Sequence, residues 1–176
     1  EYPAALHRHP DIRDLMRYLL EDLRKEIAFD TGVYYQYDEY FNLLIPIVWS
    51  GAKPTPVKLK NRAGISGQAI GRKRALFVPD RKKHPSFSVM AEEPFITGSF
   101  VSASICTDAR VFGVVTLSRA EGNPESFGVE HRYTLEIVAA FIATEINSRL
   151  LYDELEQSYF STVSALTRAL EAKDHY

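Results

Sequence analysis

The chain has 176 residues, is 45% hydrophobic and 25% charged, and carries a net charge of -2. That length suits one domain with extensions. Its single Cys excludes an intrachain disulfide framework and Cys-rich metal sites, and fits a reducing, cytoplasmic compartment. No 18-residue apolar run and no secretory leader stands out, so neither a membrane span nor export is expected of these residues.

In chain order, Asp11 is placed to cap a helix. Its apolar positions Ile12, Leu15, Met16, Leu19, Leu20, Leu23 and Ile27 form one stripe, and Gly32 is expected to break it. V-Y-Y-Q-Y and L-L-I-P-I-V-W read as two strands around a turn at Asp38 and Asn42. Pro46 predicts an edge position or a bulge for the second. A K-P-T-P loop leads to a short strand at 57–60. In G-I-S-G-Q-A-I-G, Gly64, Gly67 and Gly71 recur at spacings suited to a short helix packed closely on a sheet, and neither phosphate-binding glycine motif is met. A-L-F-V is a further strand, and residues 81–98 form a polar loop long enough to be functional, with a helical turn.

Two β-like runs follow, S-F-V-S-A-S-I-C and V-F-G-V-V-T-L-S, joined by the turn T-D-A-R as an antiparallel hairpin. A last helix begins near Val129, with Glu130 favourably placed in its first turn. Leu135, Val138, Ile142, Ile146 and Leu150 form a stripe that Tyr152, Leu155, Tyr159, Val163, Leu166 and Leu170 continue. Unbroken, this helix is about 70 Å long, more than a compact domain of this size can cover. A parallel coiled coil with a second copy is the expected solution for its far half.

Charge is uneven along the chain. Lys53, Lys58, Lys60, Arg62, Arg72, Lys73, Arg74, Arg81, Lys82 and Lys83 are opposed in that stretch by Asp80 alone. Such a segment can draw in an anionic ligand or partner, or simply be a solvated basic rim. With no recognition-helix or zinc pattern around it, nucleic acid is not expected.

The order of elements, with G-I-S-G-Q-A-I-G-R-K-R-A-L-F-V-P-D, S-F-V-S-A-S-I, V-F-G-V-V-T-L-S and Phe127 before the last helix, resembles a GAF domain across roughly residues 11–148. The resemblance implies an α+β fold: a central antiparallel sheet of about five to six strands, with the first and last helices on one face. A lid loop over the other face would cover a small regulatory ligand. Residues 1–10 would be a linker and 149–176 a signalling helix. The end of that helix, Y-F-S-T-V-S-A-L-T-R-A-L-E-A-K-D-H-Y, resembles the entry to a bacterial HD-GYP phosphodiesterase domain. That resemblance implies a longer protein hydrolysing cyclic di-GMP under control of this sensor, while the chain itself lacks the metal ligands and is not expected to be an enzyme.

Candidate ligand contacts are Phe77, Asp80, His84, Phe87, Ser99 and Thr116, with Tyr35 and Tyr37 as aromatic walls. Aromatics would enclose the ligand, and Ser, Thr, Asp or His would orient it. The ligand is an unidentified small molecule, anionic or a cyclic nucleotide among the options, and no cofactor is specified. Asn61-Arg62, Phe77 and Asp80-Arg81 echo the signature of cyclic-nucleotide-binding GAF domains imperfectly, with Arg in place of Lys and no Glu. Cys106, at the end of a β-like run, reads as a core or strand-end residue, and with one Cys a free-methionine sulfoxide reductase, which on this fold needs several, is not expected. His7 and His9 lack a third ligand, and Asp174-His175 is the reverse of an HD pair. A ligand-free dimerisation and transmission module is the competing function.

Overall fold

The computed structural model describes residues 10–87, 92–174 and 176. His7, His9 and His175, and residues 1–9 of the linker expected over 1–10, lie outside the described residues, while Pro10 belongs to the first helix. The chain divides after Ala143 into two compact units.

In the first unit, helix α1 spans Pro10–Glu26, strands β1 and β2 span Thr31–Asp38 and Leu43–Ser50, and the short β3 is Leu59–Lys60. Helix α2 (Gly64–Ala69), strand β4 (Leu76–Val78) and a 3-10 turn at Arg81–Lys83 lead to β5 (Phe100–Cys106) and β6 (Val111–Ser118). Helix α3 runs from Val129 to Asp174. The six strands form one antiparallel sheet in the order β3-β2-β1-β6-β5-β4. The α+β architecture expected from the sequence is therefore present, with six strands.

Two expectations at α1 are corrected. The helix includes Asp11 rather than starting after it, because Pro is tolerated in a first turn, where its missing N–H would have had no partner. Gly32 does not end α1, which stops at Glu26; it lies inside β1, where an added Cβ would come within 2.8 Å of the Phe29 ring. Pro46 meets both of its expected explanations. β3 reaches only Leu43 and Leu44, leaving the Pro46 end of β2 as an open edge, and the β1–β2 register shifts between Tyr34 and Tyr35, which pair with Val48 and Pro46.

Both faces of the sheet are covered. On one, strand alternation places Tyr34, Val115 and Leu117, all buried; Leu20 of α1 and Leu117 both approach Gly32, and Met16 and Leu23 of α1 and Leu135, Ala139 and Ile142 of α3 are buried as well. Arg119, 4% exposed, closes one end of this unit. It donates to the carbonyls of Ala28 (2.7 Å) and Ser126 (3.0 Å), and its guanidinium lies over the Phe127 ring. The opposite face carries the site.

The second unit is the α3 segment from Thr144 onward. Ile146 and Leu150 are buried, whereas Tyr152, Leu155, Tyr159, Val163, Leu166 and Leu170 are all exposed.

Candidate functional site under the lid segment

Strand alternation brings Val33, Tyr35, Phe100 and Val114 to one face of the sheet, where they form a buried apolar cluster with Ile65 and Ala69 of α2. Phe87, Phe95 and Ile96, from the segment between the 3-10 turn and β5, close over them. The Phe87 ring meets Phe100 edge-on at 5.2 Å, and the His84 ring lies 4.8 Å from Phe87. The expected lid is thus present and packed onto the sheet.

A polar chain runs through this apolar surrounding. Helix α2 begins with backbone N–H groups that have no partner within the helix. They are met by a side chain 27 to 28 residues further along the chain: Glu93, completely buried, accepts from the N–H of Ile65 (2.7 Å) and of Ser66 (2.8 Å) through Oε2. Oε1 accepts the Ser66 hydroxyl at 2.5 Å. The Ser66 Oγ also lies 2.7 Å from the Thr116 hydroxyl, which in turn is 2.6 Å from Ser102 Oγ, so the chain continues onto the sheet. Ser102 and Thr116 are directly paired across β5 and β6, which sets that last contact. Gly64 is required at the start of α2: its φ is +65°, and a Cβ there would come within 2.9 Å of Glu93 Oε2.

Electrostatics follow from this burial. Desolvation raises the Glu93 pKa, opposed by the hydrogen bonds from Ser66 and Ile65. The Tyr35 hydroxyl lies close enough to Glu93 to feel its charge, and burial together with that charge raises its pKa. Yet the same hydroxyl is buried without a hydrogen bond of normal length and angle. Arg81, 8% exposed, secures the lid from the other side. Its guanidinium donates to the carbonyls of Phe87 (2.9 Å), Glu93 (3.4 Å) and Ile96, and its own N–H donates to Gly98 (3.2 Å). Burial lowers the Arg81 pKa, and the charges of Glu93 and Glu92 partly restore it.

Of the residues singled out from sequence, Tyr35, Phe87 and Thr116 come together here, with His84 against Phe87. The His84 Nδ1 is buried without a partner. Tyr37 packs at the margin of the cluster, and its hydroxyl donates to Asn42 at 2.8 Å. Phe77 alternates with Leu76 and Val78, which belong to the lid-side cluster, and so faces the other side of the sheet. Asp80 accepts from the Lys82 N–H at 3.0 Å and pairs with Lys83, capping the 3-10 turn. Ser99 accepts from the Phe127 N–H at 3.2 Å and holds the loop before α3.

Glu93, Ser66, Ser102 and Arg81 were not among the sequence candidates. Ser102 and Thr116 share a strand face by alternation, a signal present in S-F-V-S-A-S. The Glu93–Ser66 pairing has no local signature. Among the described residues, no group of three or more His, Cys, Asp or Glu is placed to hold a metal ion, and no helix is long and apolar enough to cross a membrane.

This arrangement, a six-stranded antiparallel sheet with helices on one face and a closed segment over a partly polar interior, defines a small regulatory sensor fold. The GAF domain family model matches residues 9–147, and the chain belongs to that family, whose members are regulatory sensor domains. Solved structures agree on the fold. The GAF domain of a phosphoenolpyruvate-protein phosphotransferase (ptsP) from Coxiella burnetii is 17% identical with a TM-score of 0.67, covering 85% of this chain and 90% of that one. The second GAF domain of DevS from Mycobacterium smegmatis is 14% identical with a TM-score of 0.66, covering 82% of this chain and 99% of that one. A free methionine-R-sulfoxide reductase from Neisseria meningitidis, solved with its substrate, is 16% identical with a TM-score of 0.63, covering 80% and 81%. No curated protein matches the chain.

Proposed function

We propose that this chain senses a small polar molecule held between the sheet and the lid segment, and passes the signal along α3 to an output domain. The observation that carries the reading is the buried Tyr35 hydroxyl, which lies against Glu93 and the Ser66–Thr116–Ser102 chain but has no hydrogen bond of normal length and angle. A buried donor so poorly satisfied is costly, and a ligand atom placed there would satisfy it. A carboxylate at this point favours a neutral or amine-bearing ligand. Arg62, the cation of the imperfect cyclic-nucleotide echo, is exposed, and Arg81, which stands where that signature has Glu, is taken up by main-chain carbonyls, which weighs against a phosphate. The output is of HD-GYP type, acting on cyclic di-GMP, on the strength of the resemblance over 159–176. The working unit is a homodimer through α3.

Native mass spectrometry and a visible spectrum of freshly purified protein test for a retained ligand. Thermal shifts with a panel of amino acids, amines and nucleotides test for a weakly bound one. A hit that stabilises the native chain and loses its effect in Tyr35→Phe supports the reading. Absence of both signals favours a ligand-free dimerisation and transmission module, which the exposed apolar residues of α3 support independently.

A further inference from the structure

The lid segment is rooted in the loop that leads from β6 into α3. Thr97 Oγ1 accepts the Glu121 N–H at 3.0 Å. At Gly98 the two backbones touch, so that an added Cβ would lie 2.5 Å from the Arg119 carbonyl oxygen and 2.8 Å from that of Ala120. Ser99 is buried and used twice. Its carbonyl accepts the Arg119 N–H at 2.9 Å, and its hydroxyl accepts the Phe127 N–H at 3.2 Å. The other end of the segment reaches the same place. The Arg81 N–H donates to the Gly98 carbonyl at 3.2 Å, and Lys82 pairs with Glu121 at 2.6 Å, although that pair is largely exposed and contributes little on its own. The loop is itself braced: Arg119 donates to the carbonyls of Glu125 (3.3 Å) and Ser126 (3.0 Å) and covers the Phe127 ring. Phe127 then meets the His131 ring in the first turn of α3, centroids 5.4 Å apart.

From these contacts we infer that residues 97–99 and 119–127 move as one body, so that the position of the lid segment sets the start of α3, with Ser99 as the positioning residue. This rests on the sensor reading above and adds where the signal leaves the site. The Phe127 N–H is buried, and the Ser99 hydroxyl is its acceptor. Parting the two would leave a buried donor unmet, so Phe127 follows a displaced root at lower cost than it separates from it. Glycine at 98 removes the space in which the two backbones could slip past each other. A ligand then needs only to favour one position of the lid segment over another. A second contact holds α3 about two and a half turns further along: Glu136 Oε1 accepts the Ala75 N–H, from the segment joining α2 to β4, at 2.8 Å. A displacement at Phe127 against a held Glu136 changes the tilt of the first turns of the helix.

Proton–nitrogen amide spectra of the full chain test this without any ligand, so a failed ligand search and a failed coupling give separate results. Glu93→Gln and Arg81→Lys each loosen the lid segment at one of its anchors. Ser99→Ala removes the hydroxyl and keeps the carbonyl that meets Arg119. Each lid variant should shift the amides of residues 92–98 and, with them, those of residues 127–137. In a Ser99→Ala background the lid shifts should persist while those of residues 127–137 fall to about a third or less. Should one lid variant fail to fold, the other carries the comparison. Lid amides that shift while those of α3 stay in place overturn the inference and leave the binding reading intact. Shifts in α3 of equal size with and without the Ser99 hydroxyl overturn it too, since the displacement then travels by another contact, such as Glu136. A lid segment that neither variant shifts also overturns it, because a part its own anchors do not position cannot position α3.

Discussion

Glu93 holds Ser66 twice. One carboxylate oxygen takes the Ser66 hydroxyl at 2.5 Å and the other its backbone N–H at 2.8 Å. The lid, the first turn of α2 and, through Thr116, the sheet are therefore joined at a single side chain. Glu93→Gln replaces one acceptor oxygen by an NH2 group that must face donors. The expected loss is about 2 kcal/mol, the cost of leaving a buried donor unmet. In a thermal melt that corresponds to a fall of roughly 4–8 °C. An unchanged melting temperature would show that the clasp does not hold the lid.

The same carboxyl sets a pH dependence. Its folded pKa is raised by burial above the ordinary value, so the native state binds more protons than the unfolded state between the two values. Its contribution is fully present below the unfolded pKa of about 4.3 and is lost as pH rises through the folded pKa. Denaturant midpoints should therefore decline with rising pH above about 4.3 more steeply in the native protein than in Glu93→Gln. Tyr34 and Tyr35, both raised by burial, act in the same sense at alkaline pH: stability should fall above about pH 10, where only the unfolded tyrosines ionise. Parallel pH profiles for the two proteins below pH 9 would contradict the assignment to Glu93.

Arg81→Lys tests the lid from its other anchor. A lysine carries the charge but not the planar fork that reaches the carbonyls of Phe87, Glu93 and Ile96. Hydrogen exchange of the amides in residues 92–98 should accelerate, with a global loss of about 2 kcal/mol. Exchange at wild-type rates would mean that Arg81 is dispensable for closure.

Gly113→Ala should be far more damaging. Its added Cβ would lie 2.2 Å from the Tyr35 carbonyl oxygen, a main-chain atom with nowhere to retreat. A loss of about 3 kcal/mol is expected, the upper end of the usual cost of overpacking, because the clash is with main chain. A soluble protein of native stability would show that β1 and β6 can separate locally.

The sequence made the elements legible wherever one period was dominant. The stripe of α1, the alternation of β5 and β6, and the long run of α3 all sit where their apolar spacing put them. Pro46 carried its own explanation, through its missing donor and the bulge beside it. Helix ends were less legible, because Pro10 and Asp11 both suit a first turn. The site was legible only in part. Tyr35, Phe87 and Thr116 were marked by residue type, but Phe77 is turned away by strand parity, Asp80 is occupied by the neighbouring Lys82 N–H, and Ser99 by the distant N–H of Phe127. Glu93 and Ser66 could not be paired in advance, because nothing local to either residue indicates that a lid carboxylate will meet the start of α2.

The strand order has a consequence for how this chain reaches its native state. β1 lies in the middle of the sheet, with β2 on one side and β6 on the other, so Thr31 pairs with Ser118. During synthesis β1 and β2 emerge early as a hairpin, and the inner edge of β1 then waits, unpaired, until most of the domain has followed. Pairings this distant in sequence make for slow folding. In the interval, V-Y-Y-Q-Y presents a bare edge of aromatic and β-branched residues to any other strand in the vicinity. Chains interrupted before Val111 would keep that edge, and aggregation through β1 is the hazard such truncated products carry.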